Sequence, residues 1–118
     1  MKVLVVDDDE LVGKAIGRIL RKVGCEVFHA SNGEAALTLV VEKRPDLIIS
    51  DVRMPGMDGA TFVQTLRSLN DQTPVVFISG DLGRFEKAVN DLLDSGEAQG
   101  LIDKPFLPEK IQNLVQRK

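Results

Sequence analysis

The sequence predicts an α/β domain: a five-stranded, all-parallel sheet in the order 2-1-3-4-5, doubly wound, with helices on both faces. Two observations carry this expectation. Short apolar runs alternate five times with segments whose apolar residues recur at three- and four-residue spacing, so strand and helix patterns succeed one another along the whole chain. The principal runs stay apolar throughout instead of alternating with polar residues, which marks strands buried on both faces of a parallel sheet. At 118 residues, 43% hydrophobic and 28% charged, the chain reads as one domain over 1–118 with a core of its own.

Val3 to Val6 is the first strand, and it stops at Asp7-Asp8-Asp9-Glu10. A helix from about Glu10 to Val23 follows, with Val12, Ile16, Ile19, Leu20 and Val23 on one stripe and Lys14, Arg18, Arg21 and Lys22 on the outer face. Gly24 ends it as a left-handed cap. Glu26 to Ala30 is the second strand, and Ser31-Asn32-Gly33 turns the chain into a helix over about Glu34 to Glu42 with Ala35, Ala36, Leu39 and Val40 inward. Lys43-Arg44-Pro45 closes it. Asp46 to Ser50 is the third, central strand; Asp51 stands at its carboxyl edge, and Pro55-Gly56 supplies the break. The third helix spans about Gly59 to Leu69, with Phe62, Val63, Leu66 and Leu69 as its inner face. Pro74 to Ile78 is the fourth strand, ending in Ser79-Gly80-Asp81, and a helix beginning at Gly83 or Phe85 runs to Asp94. After a loop from Ser95 to Gly100, the short strand Leu101-Ile102 stops at Asp103-Lys104-Pro105-Phe106, and a last helix covers about Pro108 to Gln116.

Composition excludes several classes of function. A net charge of -3 argues against direct nucleic-acid binding, which needs a basic footprint. The single cysteine, Cys25, rules out an internal disulfide or a cysteine-rich zinc site and reads as a buried structural thiol in a reducing compartment. His29 is the only histidine and lies in the edge strand, so it has a structural or surface role and histidine-based catalysis is excluded. No stretch reaches ~18 apolar residues and Met1-Lys2 leads straight into a strand, which predicts neither a membrane span nor a signal peptide, and a cytoplasmic location.

The chemistry collects at the strand ends. Asp7 and Asp8 follow the first strand, Asp51 the third, Ser79 the fourth and Lys104 the fifth, all at the carboxyl edge where open α/β sheets place their ligands. In the order 2-1-3-4-5 the first and third strands are neighbours, so three carboxylates meet. The helix dipole and an N-cap account for Asp9 and Glu10. They do not account for Asp7 beside Asp8, and like charges packed together call for a cation.

These residues closely resemble the receiver domain of two-component response regulators, the CheY-like, flavodoxin-like fold, and the resemblance covers the whole chain. Val5-Val6-Asp7-Asp8 resembles the family's acidic pair, Asp51-Val52-Arg53-Met54-Pro55-Gly56-Met57-Asp58-Gly59 its phosphorylated loop, Ile78-Ser79-Gly80 its hydroxyl switch, and Lys104-Pro105-Phe106 its lysine-proline motif with a cis peptide bond. The resemblance implies that Asp51 accepts a phosphoryl group from a phosphohistidine of a sensor histidine kinase or histidine phosphotransfer protein. It implies Mg²⁺ held directly by Asp8 and Asp51, through water by Asp7, and by the backbone carbonyl of Arg53. Lys104 would contact the phosphoryl group, and Ser79 would transmit the change to a downstream protein. The domain would not be an enzyme toward outside substrates, catalysing only its own phosphorylation and dephosphorylation.

Each residue type suits that chemistry. A carboxylate nucleophile needs no general base, and phosphoryl transfer demands positioning and charge neutralisation. Mg²⁺ is a hard ion that takes one or two carboxylates with phosphate oxygens and waters. Arg53 and Asp81, each two residues beyond a site residue, are expected to pair across the mouth. Leu101 stands where many receivers carry an aromatic residue, which puts an aromatic readout in doubt, and the segment from Ser79 to Lys104 is a few residues longer than in compact receivers. Met1 directly before the first strand favours a stand-alone receiver over one excised from a longer chain. A flavodoxin-like mononucleotide binder would need a phosphate-cradling loop where Asp7 to Glu10 would repel the anion. The alternative, a magnesium-dependent aspartyl phosphohydrolase, would carry its nucleophile after the first strand in an Asp-x-Asp arrangement, whereas Asp51-Val52-Arg53 follows the third.

Overall fold

The computed structural model describes residues 1–116, and within them the expected alternation is present. Strands β1 (Lys2–Val6), β2 (Glu26–Ala30), β3 (Leu47–Asp51), β4 (Val75–Ser79) and β5 (Gly100–Asp103) alternate with helices α1 (Glu10–Arg21), α2 (Gly33–Lys43), α3 (Gly59–Ser68), α4 (Glu86–Asp94) and α5 (Pro108–Val115). The sheet is parallel throughout, in the order β2-β1-β3-β4-β5. No helix among the described residues is long and apolar enough to cross a membrane.

Successive strand residues face opposite sides of the sheet, so two cores form. Leu4, Val6, Ile48, Val75 and Phe77 pack with Ala36, Val40, Phe62, Val63, Leu66, Val89 and Leu92 from α2, α3 and α4. Val3, Val5, Ile49, Val76 and Ile78 pack on the other side with Ile16, Leu20 and Ile111 from α1 and α5, and with the buried thiol of Cys25. All five residues of β3 and of β4 are buried. That placement explains their unbroken apolar patterning and makes the central edge a rigid platform.

Several boundaries differ from the sequence expectation for identifiable reasons. α1 stops at Arg21 because Val23 and Gly24 donate to the carbonyls of Leu20 and Arg21 in a tightened last turn, with Gly24 at φ 88°. α2 begins at Gly33, capped by the Asn32 side chain, and ends where Arg44 turns left-handed at φ 51° before Pro45. β3 is shifted by one residue. Asp46 is spent on the main-chain N–H of Lys2 at 2.7 Å, while Asp51 continues the ladder opposite Ile78. Leu69 does not lie on the inner face of α3: the helix ends at Ser68, Leu69 leaves it, and its side chain is 65% exposed. The fourth helical segment opens as a 3₁₀ turn over Gly83–Phe85 before α4, which accounts for the two possible starts. β5 gains Gly100 and Asp103 at its ends, and α5 stops one residue short of Gln116.

Candidate functional site

Each site residue stands where its strand runs out. Val6, opposite Ala30 and Ser50, is the last residue of β1, and Asp7 beyond it is 1% exposed. Asp7 is fixed on several sides: its N–H donates to the Ala30 carbonyl at 3.0 Å and its Oδ1 accepts from the Asp9 N–H at 2.8 Å. Asp9 in turn caps α1 through Leu11 and Val12. Asp8 is exposed. Asp51 closes β3 at 9% exposure, with Oδ1 accepting from the Val52 N–H at 2.9 Å.

The three carboxylates converge, with one oxygen from each of Asp7, Asp8 and Asp51 all within 4.8 Å of one another. Lys104 enters from the loop after β5. Its Nζ lies 3.3 Å from Asp7 Oδ2 and 3.5 Å from Asp51 Oδ2. The Lys104 N–H donates to the Ser79 carbonyl at 2.9 Å, which ties the ends of β4 and β5 together, and the Lys104-Pro105 peptide is cis. Ser79 is buried, and its Oγ accepts from the Asp81 N–H at 3.2 Å, leaving the hydroxyl proton for another partner. One ammonium against three carboxylates leaves the cluster net negative. The donor set fits Mg²⁺, since the site offers hard carboxylate oxygens close together at an open edge where waters and phosphate oxygens could complete a coordination shell.

Burial is the largest cause that pushes the Asp51 carboxyl up to about 6; Asp7 and, more weakly, Asp8 push the same way, against Lys104 and the Val52 N–H. Like-charge repulsion alone would give that direction, and the structure adds burial as the leading cause. A folded-state pKa above the ordinary 3.8 means that the native state binds the proton more tightly. The stabilisation is therefore complete below about pH 4 and is lost as pH rises through about 6, a swing on the order of 3 kcal/mol. In chelator, wild type is expected to lose that much stability relative to Asp51→Asn between about pH 4 and 7, as read by urea unfolding; parallel pH profiles would contradict it.

Arg53 and Asp81 do pair, at 3.4 Å with both side chains exposed. Arg53, Arg84 and Phe85 line a groove with Asp8, Met54 and Pro55 outside the acid cluster. Such a pair adds only ~0–1 kcal/mol to stability, so its effect is sought in access to the site. Arg53→Ala combined with Asp81→Ala is expected to speed loss of a phosphoryl group from Asp51 severalfold; equal or slower decay would count against a screening role.

Two contacts escaped the sequence reading. Gly59 donates its N–H to the Val52 carbonyl at 2.8 Å, and a Cβ there would collide with the Asp51 carbonyl oxygen, so only glycine lets α3 start this close to Asp51. The signal was its place at the end of a Pro-Gly-Met-Asp-Gly turn, where the sequence reads it only as the start of the third helix. His29 reaches the Asp7 carbonyl with Nε2 at 3.0 Å, a contact that alternation along a strand does not reveal.

Residues 3–116 match the family described as "Response regulator receiver domain". The chain belongs to that family. Among relatives, this receiver is 30% identical over 118 residues to Protein PilG of Pseudomonas aeruginosa, covering 98% of this chain and 85% of PilG. It is 36% identical over 114 residues to the autoinducer 1 sensor kinase/phosphatase LuxN of Vibrio campbellii, covering 96% of this chain but 13% of LuxN. Among solved structures, Vibrio cholerae chemotaxis protein CheY4 superposes with a TM-score of 0.85 at 34% identity, covering 98% of this chain and 96% of that one. The fold is CheY-like and the chain is a two-component receiver, a phosphoacceptor signalling domain.

Proposed function

We propose that Asp51 is the phosphoacceptor of this receiver, loaded from the phosphohistidine of a sensor histidine kinase or histidine phosphotransfer protein in the cytoplasm. The observation that carries the reading is the seat of Asp51: a largely buried carboxylate among Asp7, Asp8 and the Lys104 ammonium at 3.5 Å. An Asp51 oxygen forms the new bond to phosphorus as the P–N bond breaks, and the departing imidazole keeps the electron pair and takes a proton from water. No base is needed, because a group titrating at about 6 is mostly ionised near neutrality. Lys104 neutralises an oxygen of the transferring group, and the free proton of Ser79 is available to donate to another. Asp8, Asp51 and the Arg53 carbonyl would hold Mg²⁺, with Asp7 acting through water; the ion, when bound, supplies positive charge opposite the phosphoryl oxygens. Hydrolysis later reverses the state, as water attacks phosphorus and the Asp51 carboxylate leaves.

Ser79 is the transmitter in this reading. Turning its hydroxyl toward a phosphoryl oxygen would release the Asp81 N–H and draw the loop before α4 inward, a two-state change that a downstream protein can sense. Leu101, half-buried in β5, offers no aromatic ring for that readout. The test uses phosphoramidate, whose P–N bond stands in for phosphohistidine. With Mg²⁺ the chain should take up one phosphoryl group and show no sustained turnover of p-nitrophenyl phosphate. Steady turnover of that ester would instead favour the aspartyl phosphohydrolase.

A further inference from the structure

We propose that His29 is a positioning residue for the acidic pair, and that Gly13 carries no side chain so that the imidazole can reach its place. The inference rests on the proposed metal-binding role of Asp7, Asp8 and Asp51.

The starting point is a carbonyl that water does not reach freely. Asp7 is 1% exposed, and a buried carbonyl needs a donor. Along β1 the neighbouring strands supply such donors, but β2 ends at Ala30 and the chain turns away through Ser31 and Asn32 into α2. The donor is the His29 ring, with Nε2 at 3.0 Å from the Asp7 carbonyl oxygen. A carbonyl can only accept, so Nε2 carries the proton.

That carbonyl belongs to the rigid peptide unit joining Asp7 to Asp8. Fixing it therefore fixes how Asp8 leaves the strand. Asp8 needs this help: among the described residues no hydrogen bond or ion pair holds its carboxylate, so the backbone that carries it is what limits where the carboxylate can stand. His29 thus orients an acid that it does not touch.

Gly13 gives an independent sign that the ring's place matters. It is buried at the end of the first turn of α1, and inside a helix glycine is less favourable than alanine. A Cβ at this position would stand 2.6 Å from Nε2 and 2.9 Å from Cδ2 of His29, closer than such atoms approach. Any side chain at 13 would push the imidazole off the carbonyl. The open space over Gly13 and the hydrogen bond to Asp7 are two halves of one arrangement.

The experiment is calorimetric titration of the full chain with MgCl₂ in metal-free buffer, alongside melting temperatures in chelator. His29→Asn places its amide nitrogen too near the backbone to reach the Asp7 carbonyl, whereas His29→Gln extends one to about the position of Nε2. His29→Asn and Gly13→Ala should bind Mg²⁺ about tenfold more weakly than wild type, in the range typical for groups that orient metal ligands. His29→Gln should retain wild-type affinity. A merely structural histidine predicts a lower melting temperature for His29→Asn with Mg²⁺ affinity unchanged, and that result would overturn the proposal. So would equal affinities for the asparagine and glutamine variants. No binding of Mg²⁺ by wild type would overturn the metal site itself, and this inference with it.

Discussion

Asp8→Asn is expected to melt higher than wild type in chelator, and millimolar Mg²⁺ to raise the melting temperature of wild type but not of the variant. One carboxylate oxygen from each of Asp7, Asp8 and Asp51 lies within 4.8 Å of the others. Two unit charges ~4 Å apart at an effective dielectric of ~20 repel by about 4 kcal/mol. Lys104 offsets part of this from 3.3 and 3.5 Å, and protonation of Asp51 relieves more. What is left burdens the folded state alone. Asp8 is the exposed member, so solvent screens it and its neutralisation should gain roughly 3–5 °C, not the full Coulomb term. A cation that binds only the folded cluster stabilises by mass action, about 2.7 kcal/mol at a hundredfold excess over its dissociation constant. For a chain of this size that is about 10 °C. Identical melting in chelator with no response to Mg²⁺ in either protein would mean that the three acids do not form a metal site.

The platform was legible in the sequence because burial on both faces leaves an unmistakable pattern. Leu47 to Ile49 and Val75 to Ile78 are apolar throughout, and the runs give way to Ser50-Asp51 and to Ser79 at the sheet edge. Asp7, Asp8, Asp51 and Lys104 were legible for the same reason: a charged residue ending an apolar run must sit at the sheet edge, and the strand order brings the edges together. Less legible was whatever depends on side chains meeting across elements. His29 reads as a structural or surface residue of the edge strand, and which main-chain carbonyl its ring reaches, that of Asp7 just beyond β1, is not written in the strand pattern. Gly59 reads as the first residue of a helix, but the need for glycine there comes from the carbonyl of Asp51 beside it. Leu69 fits the helical stripe of α3 and still lies outside, because the last turn breaks before the stripe is complete. Helix ends were decided by small competitions between caps and continued turns, such as those at Gly24 and Arg44.

Burial is the leading cause that raises the pKa of Asp51, and it sets this carboxylate apart from the exposed Asp8. Among the three acids the proposed acceptor is Asp51, which closes the central strand between Asp7, Asp8 and Lys104. Asparagine at 51 has nearly the same shape but no nucleophilic carboxylate, so Asp51→Asn should fold and abolish the reaction outright. The most direct measurement is intact-mass spectrometry after incubation with phosphoramidate and Mg²⁺. Wild type should gain a single phosphoryl group, borne on Asp51 and lost in base, while Asp51→Asn under the same conditions should keep its mass. An unchanged mass for wild type, or undiminished labelling of Asp51→Asn, would contradict Asp51 as the phosphoacceptor.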